Sequence, residues 1–240
     1  MPYYKKEIFV RDSVKSILNQ SYKNFEIILV NDDVENKDFI KTISNLDNRI
    51  KLLHNEKNLG AGESRNRAIR YTKGDYIAFC DCDDLWKENK LKFQLNYMKQ
   101  FDLNFSYTSY DIVDEDNNVI NMRNAPSNIN FTKLRNSCDI GLSTVIIKKN
   151  ILEKNQYRFA SLKTKEDYVF WLRIIKKSIY IRGLNKNLTY YRKTKNSLSS
   201  NIFMNLYNGY NVYRKFMKYN FITSCFCLFR LSINYLRKIK

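Results

Sequence analysis

The sequence is poor in several residue types, and each shortage excludes something. Two prolines and six glycines among 240 residues leave no room for a fibrous or low-complexity chain. The five cysteines, Cys80, Cys82, Cys138, Cys225 and Cys227, form no Cys-x-x-Cys pair. His54 is the one imidazole, so neither a zinc site nor a disulfide framework is expected, and a reducing cytoplasm is. A Ser-His-Asp triad would have to rest on His54, and no Gly-x-Ser-x-Gly elbow accompanies it. Residues 1–7 lack the apolar stretch of a signal peptide, and no run long enough to span a membrane is free of charge. Acidic residues are also scarce, 24 against 42 Lys and Arg, and they all but vanish after Tyr180.

What remains is a chain with 44% hydrophobic residues, 15% aromatics and a net charge of +18. That is enough apolar material for one main domain with a modest appendage. The charge seeks anions: nucleic acid, an acidic membrane leaflet or phosphorylated small molecules.

Short apolar runs alternate with helical periodicity over the first two-thirds, the pattern of strands joined by crossover helices around a mainly parallel sheet. Residues 26–30 (EIILV), 50–53 and 75–79 (DYIAF) read as strands. Helices are expected at 38–46, from Gly60 through Arg70, from near Trp86, and at 166–177. Further strands are expected at 104–110, 143–148, 179–184 and 188–192, with a hairpin turn at Asn117-Asn118. Asp32 follows one strand and Asp81, Asp83 and Asp84 another. Ligands of open α/β sheets bind at such carboxyl ends, which implies one shared site.

Three carboxylates within four residues repel one another unless compensated, at a cost of about 4 kcal/mol for a pair ~4 Å apart at an effective dielectric of ~20. Hard oxygens of this kind suit Mg²⁺ or Mn²⁺; the plain alternative is an acidic turn capping the next helix. Thr164-Lys165-Glu166-Asp167 fits a capping box, and the same carboxylates could serve as a general base. Arg65 enters a helix from a Gly-punctuated loop, where a guanidinium could meet phosphate oxygens or simply be solvated.

Taken in order, these stretches resemble the family 2 glycosyltransferases over roughly the first 200 residues. The resemblance is carried by residues 1–7 (MPYYKKE), 16–22 (SILNQSY), 25–32 (FEIILVND), 58–68 (NLGAGESRNRA), 76–86 (YIAFCDCDDLW) and 165–173 (KEDYVFWLR). It implies a GT-A fold, Rossmann-like, in residues 1–200, and an inverting, metal-dependent transferase. Pro2, Tyr3, Glu7, Asp32, Arg65, Asp81 and Asp83 would hold a nucleotide-sugar, with UDP as the nucleotide. Asp83 and Asp81 would carry Mn²⁺ or Mg²⁺, Asp167 would be the base, and Glu166, Asp167 and Trp171 would face the acceptor. That acceptor would be a glycan or lipid-linked sugar of surface polysaccharide synthesis, such as O-antigen, lipooligosaccharide or capsule. The family's opening apolar strand, which precedes the Met-Pro stretch, is absent, so a start further upstream or a truncated chain with an unpaired strand position is expected. The family's later His is missing too, with Lys193 or Lys195 in its place.

Residues 201–240 mix Tyr, Phe, Leu and Ile with Arg and Lys. Such helices lie in a membrane interface or pack Phe226, Phe229 and Leu236 on the main domain. The first reading places the protein peripherally on the inner face of the cytoplasmic membrane. Two rival readings are a basic nucleic-acid-binding domain and an inactive transferase fold; the acidic strand ends argue against nucleic acid.

Overall fold

The computed structural model describes residues 1–177, 179–194 and 202–239. Its first part is a parallel sheet of β1 (Pro2–Tyr3), β2 (Ile27–Asn31) and β3 (Ile50–His54), in that order. Each crossover is a helix, α1 (Glu7–Leu18) after β1 and α2 (Lys37–Ser44) after β2. All five β2 residues are buried, which is why its sequence is a continuous apolar run rather than an alternating one. Helix α3 (Gly60–Tyr71) leaves β3 through Gly60, whose φ of +82° suits a glycine.

The second sheet runs β4 (Tyr76–Ala78), β8 (Ile146–Lys148), β6 (Phe105–Val113), β9 (Ile181–Arg192) and β5 (Leu85–Trp86), with β7 (Val119–Arg123) hairpinned onto β6. Within it β6 and β9 are parallel and the other pairs antiparallel, so the expected parallel pairing is carried by β1–β3 and by the long β6–β9 ladder. Several sequence expectations shift. The strand pair expected within 179–192 is one strand, β9, that follows β6 with register shifts. Residues 142–144 are a 3₁₀ turn ahead of β8, and Trp86 lies in β5 while helix α4 (Lys90–Gln100) starts later.

Helices α5 (Phe131–Ser137), α6 (Lys149–Lys154) and α7 (Glu166–Lys176) complete the body. Helix α7 sits in the centre of the larger core: Tyr168, Val169, Phe170, Trp171, Leu172 and Ile174 are all fully buried, each contributing about 1.5–3 kcal/mol of burial. Trp171 packs edge-on against Phe79 and Phe105. After residue 201 come α8 (Ile202–Asn211), a π-helical turn (Val212–Phe216) and α9 (Phe221–Ile239). Val212, Tyr213, Cys227 and Leu231 join the same core, while Phe226, Phe229 and Leu236 remain 56, 63 and 62% exposed.

A cavity of about 850 Å³ opens between β2 and β4, lined by Met1, Ile27, Ile28, Tyr76 and Ala78 among others. The Met1 ammonium donates to Ile28 O at 3.0 Å, and burial lowers its pKa.

Candidate functional site

The carboxyl ends of β2 and β4, the start of α7 and the entry to α1 converge. Asp32 follows β2 and is 2% exposed. Its carboxylate accepts from Asn55 Nδ2 at 2.7 Å, Leu59 N at 2.8 Å and Gly60 N at 2.8 Å. It therefore closes the loop between β3 and α3 rather than capping α2. Asn55 also bonds Ser64, pinning the same loop to the helix. His54 pairs with the Asn31 side chain at 3.3 Å, a structural arrangement.

Helix α3 brings Arg65 to the centre. Its guanidinium is 5% exposed and bonds Asp81 Oδ1 through Nη2 and Glu166 Oε1 through Nη1, both at 2.6 Å. Charge-assisted bonds of this length are strong. Both amino groups rest on carboxylates, and Nε is buried with no partner among the described residues. Close packing makes this possible, since a Cβ on Gly62 would lie 2.9 Å from Ala160 O and 3.3 Å from Glu166 Cγ.

The acidic turn after β4 is no helix cap. Asp84 is 2% exposed, accepts from Ser143 Oγ and from Arg192 N at 3.0 Å, and burial pushes its carboxyl well above the usual range. Asp83 points to the open side, with its side chain 20% exposed and Lys6 Nζ 2.8 Å from Oδ2. Burial and the Asp81 charge raise its pKa. The alternating Cys80 and Cys82 face inward, Cys82 Sγ donating to Pro2 O at 2.8 Å, so β1 and the acidic turn are tied together.

Asp167 is half-buried at the first turn of α7, and burial followed by the neighbouring Glu166 charge pushes its pKa up to about 7. Its carboxylate accepts from Tyr168 N at 2.7 Å. The capping-box reading fails: the cap residue is Lys165, in a left-handed conformation with φ 67°, and Thr164 Oγ1 accepts from Asn208 instead.

Two expected contact residues lie elsewhere. Tyr3 and Trp171 have no exposed surface, so neither lines an open site, and burial raises the Tyr3 phenol. Glu7 is exposed and accepts from Asn36 at 2.8 Å. Sequence reading did not anticipate Lys6, nor Arg192, whose Nε donates to Asp83 O at 2.9 Å. Lys195, one of the two lysines expected in place of the family's later His, lies outside the described residues.

The family described as Glycosyl transferase family 2 matches residues 1–158. A protein of Escherichia coli named UDP-Glc:alpha-D-GlcNAc-diphosphoundecaprenol beta-1,3-glucosyltransferase WfgD is 36% identical over 220 residues, 91% of this chain and 85% of that protein. The putative teichuronic acid biosynthesis glycosyltransferase TuaG of Bacillus subtilis is 30% identical over 240 residues, 99% of this chain and 94% of that one. Among solved structures, S. aureus TarS 1–349 in complex with UDP-GlcNAc superposes with a TM-score of 0.72 at 22% identity, covering 89% of this chain and 63% of that one. The last likeness concerns the fold alone.

Proposed function

The chain belongs to glycosyl transferase family 2, and from that premise we propose that it moves a sugar from a UDP-sugar to a hydroxyl of a lipid-linked glycan with inversion, in surface polysaccharide synthesis. The observation that carries the reading is the Arg65 bridge, which holds the acidic turn of Asp81 and Asp83 beside the Glu166-Asp167 pair. One guanidinium thereby joins a donor side to an acceptor side. UDP and a GlcNAc-diphospholipid acceptor are supported by the name of the E. coli relative. The basic nucleic-acid-binding alternative is not favoured.

In this reading Asp167 takes the acceptor proton, and a base titrating at about 7 is matched to work near neutrality. The acceptor oxygen bonds the anomeric carbon as the bond from that carbon to the diphosphate breaks, its electron pair leaving with the diphosphate. The base ends protonated and no sugar–protein bond forms. Asp32 and Asn55 keep the loop before α3 closed around the nucleoside position, and Pro2 and Glu7 border it from β1 and α1.

The donor chemistry of the acidic turn fits a divalent cation. Asp81 and Asp83 offer hard oxygens, and the Lys6 ammonium on Asp83 is a stand-in cation at that carboxylate. Mn²⁺ or Mg²⁺ held there would supply positive charge to the leaving diphosphate.

The membrane reading is supported by α9. Its buried residues Ser224, Cys227 and Leu231 lie on one side, and Ile222, Phe226, Phe229 and Leu236 form an exposed stripe on the other. Arg230 and Arg237 adjoin the stripe, and no Asp or Glu follows Asp167 in the sequence. That charge complements an anionic leaflet, where a lipid-linked acceptor resides.

Calorimetric titration of UDP with and without Mn²⁺ tests the proposal, with a folded Asp83→Ala variant beside it. Metal-dependent binding lost in the variant supports it; a folded parent that ignores UDP under both conditions refutes it.

A further inference from the structure

The Asp83 carboxylate already carries a cation of the protein's own. Lys6 Nζ lies 2.8 Å from Asp83 Oδ2 and donates to Thr194 Oγ1 at 3.2 Å. Lys6 is the cap residue of α1, preceded by Lys5 in a left-handed turn with φ 47°. The Lys6 and Asp83 side chains are 26% and 20% exposed, so the pair stands at the edge of the site rather than in the core.

The second cation beside this turn is fixed. Arg192 is 3% exposed, bonds Asp83 O through Nε and Glu115 O through Nη1 at 2.9 and 3.0 Å, and lies 4.6 Å from the centre of the Phe9 ring. Its Nη2 is buried with no partner among the described residues. Lys6 Nζ is 5.9 Å from the same ring. One carboxylate turn is thus flanked by a rigid guanidinium bound to its main chain and an ammonium on a flexible stem bound to its side chain.

A divalent ion reaching Asp83 competes for the oxygen that Lys6 holds, and two cations cannot share it without strong repulsion. The displaced ammonium stays tethered at the start of α1, beside the fixed charge of Arg192, where an incoming diphosphate is the natural acceptor for its three donors. Resting on the donor reading above, we propose that Lys6 is an exchangeable counter-cation: it neutralises Asp83 before the donor arrives and passes to the diphosphate when a divalent ion takes Asp83. The consequence is ordered selectivity. Metal alone must evict Lys6 with no anion to receive it, whereas metal and nucleotide together give every charge a partner.

The test is calorimetric titration of Mn²⁺ alone, and of UDP in the presence of Mn²⁺, into the full chain as parent, Lys6→Met and Lys6→Arg, with thermal melts confirming folding. The expected effects have opposite signs. Lys6→Met binds Mn²⁺ alone about tenfold more tightly and UDP with Mn²⁺ about tenfold more weakly, the size of one charge-assisted hydrogen bond. Lys6→Arg retains the UDP affinity. Unchanged affinities in Lys6→Met would overturn the exchange while leaving the donor site standing, and a parallel loss of both would reduce Lys6 to a structural role. A folded parent that binds no UDP removes the donor reading and this inference with it.

Discussion

Replacing Arg65 by Met tests the joint on which the site depends. The change removes two ion pairs of 2.6 Å and strands two carboxylates, with Glu166 11% and Asp81 32% exposed at the side chain. Breaking a buried pair by deleting one partner costs about 3–5 kcal/mol. Asp81 can regain water and Glu166 largely cannot, which places the expected loss near the lower end, about 3 kcal/mol. For a chain of 240 residues each kcal/mol lowers Tm by about 2–4 °C, so Arg65→Met should melt about 6–12 °C below the parent. Urea unfolding of the parent, Arg65→Met, Glu166→Gln and the double variant closes a cycle. Because Glu166→Gln removes the stranded charge, the double variant should be more stable than Arg65→Met alone by about 1 kcal/mol or more. The reasoning is wrong if Arg65→Met unfolds within about 0.5 kcal/mol of the parent, or if Glu166→Gln destabilises both backgrounds equally.

Asp167→Asn should lower kcat by about 10³-fold while leaving UDP binding within twofold, and the parent's kcat/KM should rise with pH through about 7 as the carboxylate forms; a flat profile from about pH 5.5 to 8.5 would remove Asp167 from the base role. Lys90 is fully buried, its Nζ on Gln94 Oε1 at 2.8 Å and 4.4 Å from the Trp86 ring centre, and burial lowers its pKa to about 7 from 10.5. Below pH 10.5 the unfolded lysine is charged while the folded one resists protonation, so its penalty on stability grows as the pH falls to about 7 and is constant below. Lys90→Met should therefore stabilise the protein at pH 7 by about 2 kcal/mol, part of the gain being offset by the orphaned Gln94, and the advantage should shrink toward pH 10; equal urea midpoints at pH 7 would contradict it. On the exposed stripe of α9, Phe226→Glu with Phe229→Glu should cut sedimentation with anionic vesicles at least tenfold at unchanged Tm. A parent that ignores vesicles and sediments as a dimer, dissociated by the same substitutions, would assign the stripe to a second copy.

Strands β2, β3 and β4 were legible because short apolar runs followed by polar residues encode buried strands directly, and the Asp81-Cys82-Asp83 turn was legible because it follows β4, whereas β1 has no such run and was not read as a strand. Long-range pairing was not. Leu85-Trp86 reads as the start of a helix, yet it forms β5 because Tyr190 and Thr189 of β9 lie opposite. Trp171 was placed at the acceptor by its neighbours in sequence, but α7 is apolar nearly all round and takes that ring into the core. Lys6 carried no signal because its partner Asp83 is distant along the chain.

Asp167 shows how the fold resolves an ambiguity that local sequence leaves open. Thr164 and Asp167 have the spacing of a reciprocal cap, which would lock the carboxylate onto a backbone N–H and lower its pKa. Lys165 instead enters α7 at φ 67°, and the Thr164 hydroxyl is taken by Asn208 from α8. The carboxylate is left with Tyr168 N at 2.7 Å, next to Glu166 and short of water, and its pKa rises to about 7 rather than falling. A capping carboxylate would be a poor base at neutral pH; one denied its cap and desolvated is suited to take a proton there. The helix that carries the reaction's proton acceptor in our proposal thus begins without the reciprocal cap, and burial together with the Glu166 charge sets the raised value of its carboxylate.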